Sequence, residues 1–232
     1  MWPELLKIRS ADLSRLRDVA YLESLLPELG LNNEALSEFP SHLYPYCGRG
    51  LFSWQYPHQF SRYLVAFSAL PITSYLEIGV HKGGTFIITT EYLRRFNPGF
   101  LRATGVDLRI LEPLSSYILL DKQCSFFQVS SQSAEFDLIL RPGFDLVLID
   151  GDHRREAVKS DFMKVRPFAR HIALHDIASD SVPSVRDVWN EIKRDYATEF
   201  SFTEFVEQYP EVQSRTGHTY LGIGLAVAKE TR

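Results

Sequence analysis

The chain has 232 residues, 45% of them apolar and 23% charged, with a formal net charge of −4. That length suits one α/β domain with a substantial core plus an N-terminal elaboration, and the charge balance excludes a general pull toward nucleic acid or an anionic membrane. No apolar run approaches the ~18 residues that cross a bilayer, and the first ten residues lack the pattern of a signal peptide.

In chain order, residues 1–40 read as short helices: Leu13, Leu16, Val19 and Ala20 share one face, and Leu22, Leu25 and Leu26 follow before Pro27. Residues 39–60 mix Phe39, Tyr44, Trp54, Tyr56 and Phe60 with prolines and glycines, a composition expected of a structured loop or cap. We therefore expect a cap or lid over 1–60 and a second unit over 61–232. Cys47 and Cys124 lie far apart with no metal-ligand spacing, so no disulfide framework is expected and a cytoplasmic location fits.

From residue 74 the pattern alternates strand and helix. Strands are expected at Tyr75–Ile78, Ala103–Val106, Ser125–Val129, Leu146–Ile149 and Ile172–Leu174. Between them Val158, Phe162 and Val165 recur at helical spacing. Val185, Val188, Trp189, Ile192 and Tyr196 do so after the last, with Ser184 as N-cap. Such alternation predicts a mostly parallel sheet with helices on both faces. Phe200–Val206 and Thr219–Val227 then read as two successive strands, a terminal antiparallel hairpin with no helix between them.

In a parallel sheet ligands bind beyond the carboxyl ends of the strands, so the residues there carry the chemistry. The first strand runs into Glu77-Ile-Gly79-Val-His-Lys-Gly83-Gly-Thr85, a glycine turn feeding a helix whose first amides face a ligand. An acid stands where a dinucleotide site has its first glycine, which suits a cationic or hydroxyl-rich ligand better than a pyrophosphate. Asp107 ends the second strand roughly 20 residues on, where a carboxylate usually grips a ribose diol. Ser131 and Gln132 follow the third, as adenine contacts or as N-caps.

The fourth strand ends Ile149-Asp-Gly-Asp-His153 and the fifth ends Leu174-His-Asp176. Asp150, Asp176 and His175 can converge on one divalent cation. Carboxylate oxygens with room for water suit Mg²⁺, and a histidine ligand admits Mn²⁺, Fe²⁺ or Zn²⁺. The competing structural reading has His175-Asp176 capping the strand and Asp150 touching only the cofactor's amino-acid part.

Together these motifs resemble the class I S-adenosylmethionine-dependent methyltransferases, specifically the metal-dependent catechol and macrocin-type O-methyltransferases and related small bacterial enzymes. The resemblance covers about residues 54–228 and is specific at 75–86 and 147–153. It implies a Rossmann-like, seven-stranded, mostly parallel sheet with a C-terminal antiparallel hairpin. It implies that Glu77, Gly79, Gly83 and Thr85 hold the methionine part of S-adenosylmethionine, that Asp107 holds the ribose, and that Ser131 and Gln132 lie along the adenine. Asp150 matches the first metal ligand and also touches the cofactor, and His175-Asp176 matches a pair that is Asp-Asn or Asp-Asp in other members. The catalytic base falls on His153 by the catechol pattern and on Asp152 by the sugar pattern, and both residues are present.

The function implied is methyl transfer to a hydroxyl of a small molecule or sugar, with a divalent metal such as magnesium, no nucleic-acid or membrane partner, and room for a homo-oligomer. Two other classes compete with it. A nucleotide-dependent oxidoreductase is opposed by the missing first glycine, the terminal hairpin and the acid cluster. A non-catalytic S-adenosylmethionine-binding protein is opposed by the intact Asp150, Asp152 and His153 group.

Overall fold

A computed structural model describes residues 3–229. Three helices open the chain, α1 (Pro3–Ser10), α2 (Leu13–Leu16) and α3 (Val19–Glu28), followed by 3-10 turns and then α4 (Pro57–Phe67). Five strand–helix units follow: β1 (Ser74–Ile78), α5 (Gly84–Phe96), β2 (Arg102–Asp107), α6 (Leu114–Leu120), β3 (Cys124–Gln128), α7 (Ala134–Leu140), β4 (Phe144–Ile149), α8 (Arg155–Val165), β5 (Ala169–His175) and α9 (Pro183–Asp195). The chain closes with β6 (Phe200–Phe205), α10 (Pro210–Thr216) and β7 (Ile223–Ala228).

The seven strands lie in the order β3-β2-β1-β4-β5-β7-β6, with β7 antiparallel to both of its neighbours and β1 to β5 mutually parallel. Apolar side chains leave the strands on both faces, because each face is roofed by helices. On one face Tyr75, Leu146, Leu148, Ala173 and Leu225 pack against α1, α3, α4 and α5. On the other, Leu76, Val147, Ile172 and Leu174 pack against Phe162 of α8 and Trp189 of α9.

Three local expectations are corrected. Residues 57–67 are helical: Pro57 presets the first helical φ, and Phe60, Tyr63, Leu64 and Phe67 recur at i, i+3, i+4 and i+7 and are buried. The break between residues 60 and 61 thus falls inside α4, and Leu5, Leu22 and Phe60 share one core with β1 and β4. Ser184 is not the N-cap of α9. Pro183 has already taken the first helical position, and Val182 precedes it. The last two strands pair as antiparallel neighbours, but α10 lies between them, bounded by Pro210 and by Gly217 at φ +73°. That helix has a single buried apolar residue, Val212, so periodicity does not reveal it. Among the described residues no helix is long and apolar enough to cross a membrane.

The strand order reverses between β1 and β4, and the crevice at that reversal is where open α/β sheets hold ligands. Gly79 makes the reversal tight. Its φ is +82°, and a Cβ there would lie 1.9 Å from the carbonyl oxygen of Asp150. The N-terminal segment closes over this end of the sheet, since a Cβ on Gly84 would meet the carbonyl oxygen of Leu51 at 2.5 Å.

Candidate active site

A cavity of about 800 Å³ opens at the carboxyl ends of β1 to β5 and is lined by residues from every one of those strand ends. Each site residue named from the sequence lines it: Glu77, Gly79, Gly83, Thr85, Asp107, Ser131, Gln132, Asp150, Asp152, His153, His175 and Asp176.

At the β1 end, Glu77 is 1% exposed and accepts a hydrogen bond from the Tyr75 hydroxyl. Burial pushes its carboxyl well above the ordinary range, against the pull of that hydroxyl. Such a carboxylate gains by meeting a positive charge. Gly83 has φ +90° and sits just before α5, whose first residues Gly84 and Thr85 face the cavity. Asp107 ends β2 and accepts the N–H of His81 at 2.8 Å and that of Leu108 at 2.6 Å. These bonds fix the carboxylate and tie the glycine turn to β2.

After β3, Gln132 donates to Asp161 on α8 at 2.6 Å, and Lys164 donates to the carbonyls of Ser131 and Ser133 at 3.1 and 3.3 Å. The loop is thus gripped by the helix that follows β4.

The β4 and β5 ends hold four ionisable groups in contact. His175, 4% exposed, lies with Nδ1 3.0 Å from Oδ1 of Asp150. His153 places Nε2 3.0 Å from Oδ2 of Asp176 and 3.7 Å from Oδ1 of Asp150. Asp150 and Asp176 thus hold His153 protonated, with its pKa raised to about 10. Burial opposes protonation of His175, but Asp150 and Asp176 outweigh it and lift that group to about 9. Burial likewise opposes ionisation of Asp150, and the two histidines overcome it, bringing its pKa to about 2. Asp176 adopts φ +61°, which swings the chain off β5, a conformation that a short carboxylate side chain tolerates better than most.

Asp152 behaves differently. Arg154 grips it through Nε at 2.8 and 3.0 Å and through its backbone N–H at 2.9 Å, holding its carboxyl below the usual carboxylate range.

The donor atoms of Asp150, His153 and Asp176 all lie within 4.8 Å of one another. Ligands of one ion at ~2.1 Å stand at most about 4.2 Å apart, so small side-chain adjustments would bring this set onto a hard divalent cation. Among the described residues, the buried His153 Nε2 makes no well-aligned hydrogen bond despite lying 3.0 Å from Asp176 Oδ2. This trio takes His153 where the sequence reading takes His175, whose Nδ1 already faces Asp150.

Sequence reasoning expected a cap in this segment but did not single out Glu38. Glu38 and Phe52 line the cavity beside Trp54, and the Trp54 indole N–H donates to Glu38 at 3.0 Å. Burial raises the Glu38 carboxyl. Of the aromatics in this segment, Trp54 reaches the cavity, whereas Tyr56 is fully buried and packs against Phe39. No spacing links Glu38 to the strand ends, so no sequence signal announces it.

A family model described as "Methyltransferase domain" matches residues 76–177, the span from β1 to just past β5. No curated protein sequence matches the chain. Among solved structures, the O-methyltransferase from Bacillus cereus in complex with SAH superposes with a TM-score of 0.54 at 16% identity, covering 97% of this chain and 95% of that one. The O-methyltransferase TomG from Streptomyces achromogenes, involved in tomaymycin synthesis and bound to SAM, gives 0.54 at 16% identity, with 90% and 95% covered. Cofactor-bound Rv0187 from MTB gives 0.54 at 15%, with 98% and 95% covered. The methyltransferase-domain model matches residues 76–177, and the strand order with the glycine turn at its reversal gives the chain the Rossmann-like fold of these methyltransferase structures.

Proposed function

We propose that this chain is an S-adenosylmethionine-dependent O-methyltransferase, assisted by a divalent metal and acting on a hydroxyl of a small molecule or sugar. The observation that carries the reading is the Asp150–His153–Asp176 cluster on the wall of the cavity that also holds Glu77 and Asp107.

In this reading Glu77 and the amides at Gly83 to Thr85 bind the methionine part of the cofactor, with Gly79 keeping the backbone close. Asp107 takes the ribose hydroxyls, and Ser131 and Gln132 flank the adenine. The segment between α3 and α4 caps the site and supplies Glu38, Phe52 and Trp54 to the acceptor side. Asp150 and Asp176 supply carboxylate ligands to the cation, with His153 or His175 as the neighbouring nitrogen donor. When bound, a divalent ion would lower the pKa of the acceptor hydroxyl and offset the carboxylate charge that keeps His153 protonated. We assign the base to His153, because Arg154 occupies Asp152.

The reaction is an in-line displacement. The acceptor oxygen attacks the methyl carbon, the carbon–sulfur bond breaks, and its electron pair stays on sulfur as the neutral thioether. The hydroxyl proton passes to His153, so charge is neutralised and the protein's task is to orient and deprotonate. The free thiols Cys47 and Cys124 fit a reducing compartment.

A thermal-shift titration with S-adenosylmethionine, with and without Mg²⁺ or Mn²⁺, followed by methyl transfer to catechol and sugar panels, tests the reading. Absence of cofactor binding would refute it. Full transfer in excess chelator would remove the metal and leave general-base methyl transfer.

A further inference from the structure

Asp161 plays no part in the chemistry above, yet it is 0% exposed on the inner face of α8, among Ala157, Val158, Phe162 and Val165. A carboxylate in such surroundings needs a partner. Its Oδ1 accepts the Gln132 side-chain amide at 2.6 Å, and the same nitrogen donates to the Ser131 hydroxyl at 3.3 Å. Both N–H groups of Gln132 are therefore committed to protein oxygens. The amide's carbonyl oxygen is left to meet whatever enters the cavity that Gln132 lines. Lys164, on the next turn of α8, holds the carbonyls of Ser131 and Ser133, so the loop cannot slide to exchange these partners.

We propose that Asp161 is a positioning residue that sets the polarity of the Gln132 amide, so that Gln132 presents an acceptor to the 6-amino group of the cofactor's purine and rejects a 6-oxo purine. The inference rests on the cofactor reading above. An ionised carboxylate only accepts, so it compels the amide nitrogen toward itself and the amide oxygen away. Burial raises the Asp161 carboxyl to about 6, against Ser131, Lys164 and Gln132, which leaves it ionised at pH 7.5. A merely structural staple would hold the loop equally well for either purine. A polarity lock distinguishes the two, because hypoxanthine offers an oxygen where adenine offers N–H, and two facing acceptors repel.

The experiment is calorimetry at pH 7.5 with S-adenosylhomocysteine and S-inosylhomocysteine. The wild type should bind the adenine compound at least about tenfold more tightly. Asp161→Asn offers both a donor and an acceptor, freeing Gln132 to turn over, and should bring the two affinities within about threefold. Gln132→Met, similar in size but without the amide, should do the same and keeps the test decisive if Asp161→Asn fails to fold. Variants that weaken both ligands equally, with the wild-type ratio kept, would overturn the proposal in favour of a structural staple. A wild type that binds both compounds alike would overturn the polarity lock alone. A wild type that binds neither would overturn the cofactor reading and this inference with it.

Discussion

His171 on β5 is 3% exposed, and among the described residues neither of its ring nitrogens has a hydrogen-bond partner. Burial, and then the neighbouring charge of Arg170, hold its pKa down to about 4, with Asp145 pulling weakly the other way. In the unfolded chain the imidazole returns to about 6.5. The sign follows from proton counting. Between pH 6.5 and 4 the unfolded chain binds a proton that the native chain refuses, so stability falls as pH drops through that window. Above 6.5 both states are neutral and the group contributes no pH dependence. Below 4 both are protonated and the loss is complete. At pH 4.5 the two pKa values correspond to a loss of about 2.5 kcal/mol relative to pH 7.5. His171→Leu, close in size and free of polar atoms, should be neutral or mildly stabilising at pH 7.5. At pH 4.5 it should exceed the wild type by a further ~2.5 kcal/mol, read as a difference between urea midpoints at the two pH values. Parallel pH profiles for variant and wild type would show that His171 finds a partner for its proton, and the reasoning would fail.

Asp107→Ala removes the carboxylate assigned to the ribose and should weaken S-adenosylmethionine binding by at least about tenfold, ~1.4 kcal/mol, in calorimetry. An unchanged affinity would withdraw the assignment. Asp150→Ala and Asp176→Ala should each abolish metal-dependent turnover while the circular dichroism spectrum is retained. Activity that survives both would detach the cluster from catalysis. His153→Ala should lower kcat on the order of 10²-fold with little change in cofactor affinity, and Asp152→Asn should be milder. The reverse order would move the base to Asp152. Gly79→Ala forces a Cβ onto the Asp150 carbonyl, 1.9 Å away, at φ +82°, so β1 and β4 must part at the reversal. Loss of cofactor binding together with a stability loss of about 1–3 kcal/mol is expected, and a variant melting like the wild type would count against the close approach.

The strands and the site were legible in the sequence for one physical reason: a central parallel strand is an apolar run, and its carboxyl end is where polar residues must be explained. Tyr75–Ile78, Leu146–Ile149 and Ile172–Leu174 are buried on both faces, so the last two are continuously apolar and the first is interrupted only by Glu77. Glu77, Asp107, Asp150 and Asp176 fall at those ends and meet in one cavity because the strand order brings them there. Elements that depend on tertiary packing were not legible. Helix α10 keeps one apolar residue because its remaining surface faces solvent and the N-terminal wall. The start of α4 was hidden by the aromatic segment before it, whose prolines and glycines mask the change in period. The donor set at the cluster was only partly readable. The sequence reading took His175 as the nitrogen ligand and His153 as the base, and only the direction each imidazole takes from its strand end groups His153 with the two carboxylates.

Charge balance at the β4 and β5 ends gives a reason for two histidines beside two carboxylates. As the structure stands, Asp150 and Asp176 face the protonated His153 and His175, and the cluster is neutral. A neutral cluster offers little to an acceptor oxygen that must become negative. In the proposed reading, a divalent cation held by Asp150 and Asp176 would displace the proton from His153, and with the imidazolium of the buried His175 the cluster would carry a net charge of plus one. That charge would favour the ionised form of the acceptor oxygen and the neutral, proton-accepting form of His153, provided the carboxylates and not His153 bind the cation. His175 is the histidine suited to keep its proton throughout, because it is 4% exposed and its Nδ1 lies against Asp150. His153, with 36% of its side chain accessible, is the one that can exchange a proton with a bound acceptor. The two imidazoles thus differ in burial, and in the proposed reading that difference would divide the labour between holding Asp150 in place and moving the proton.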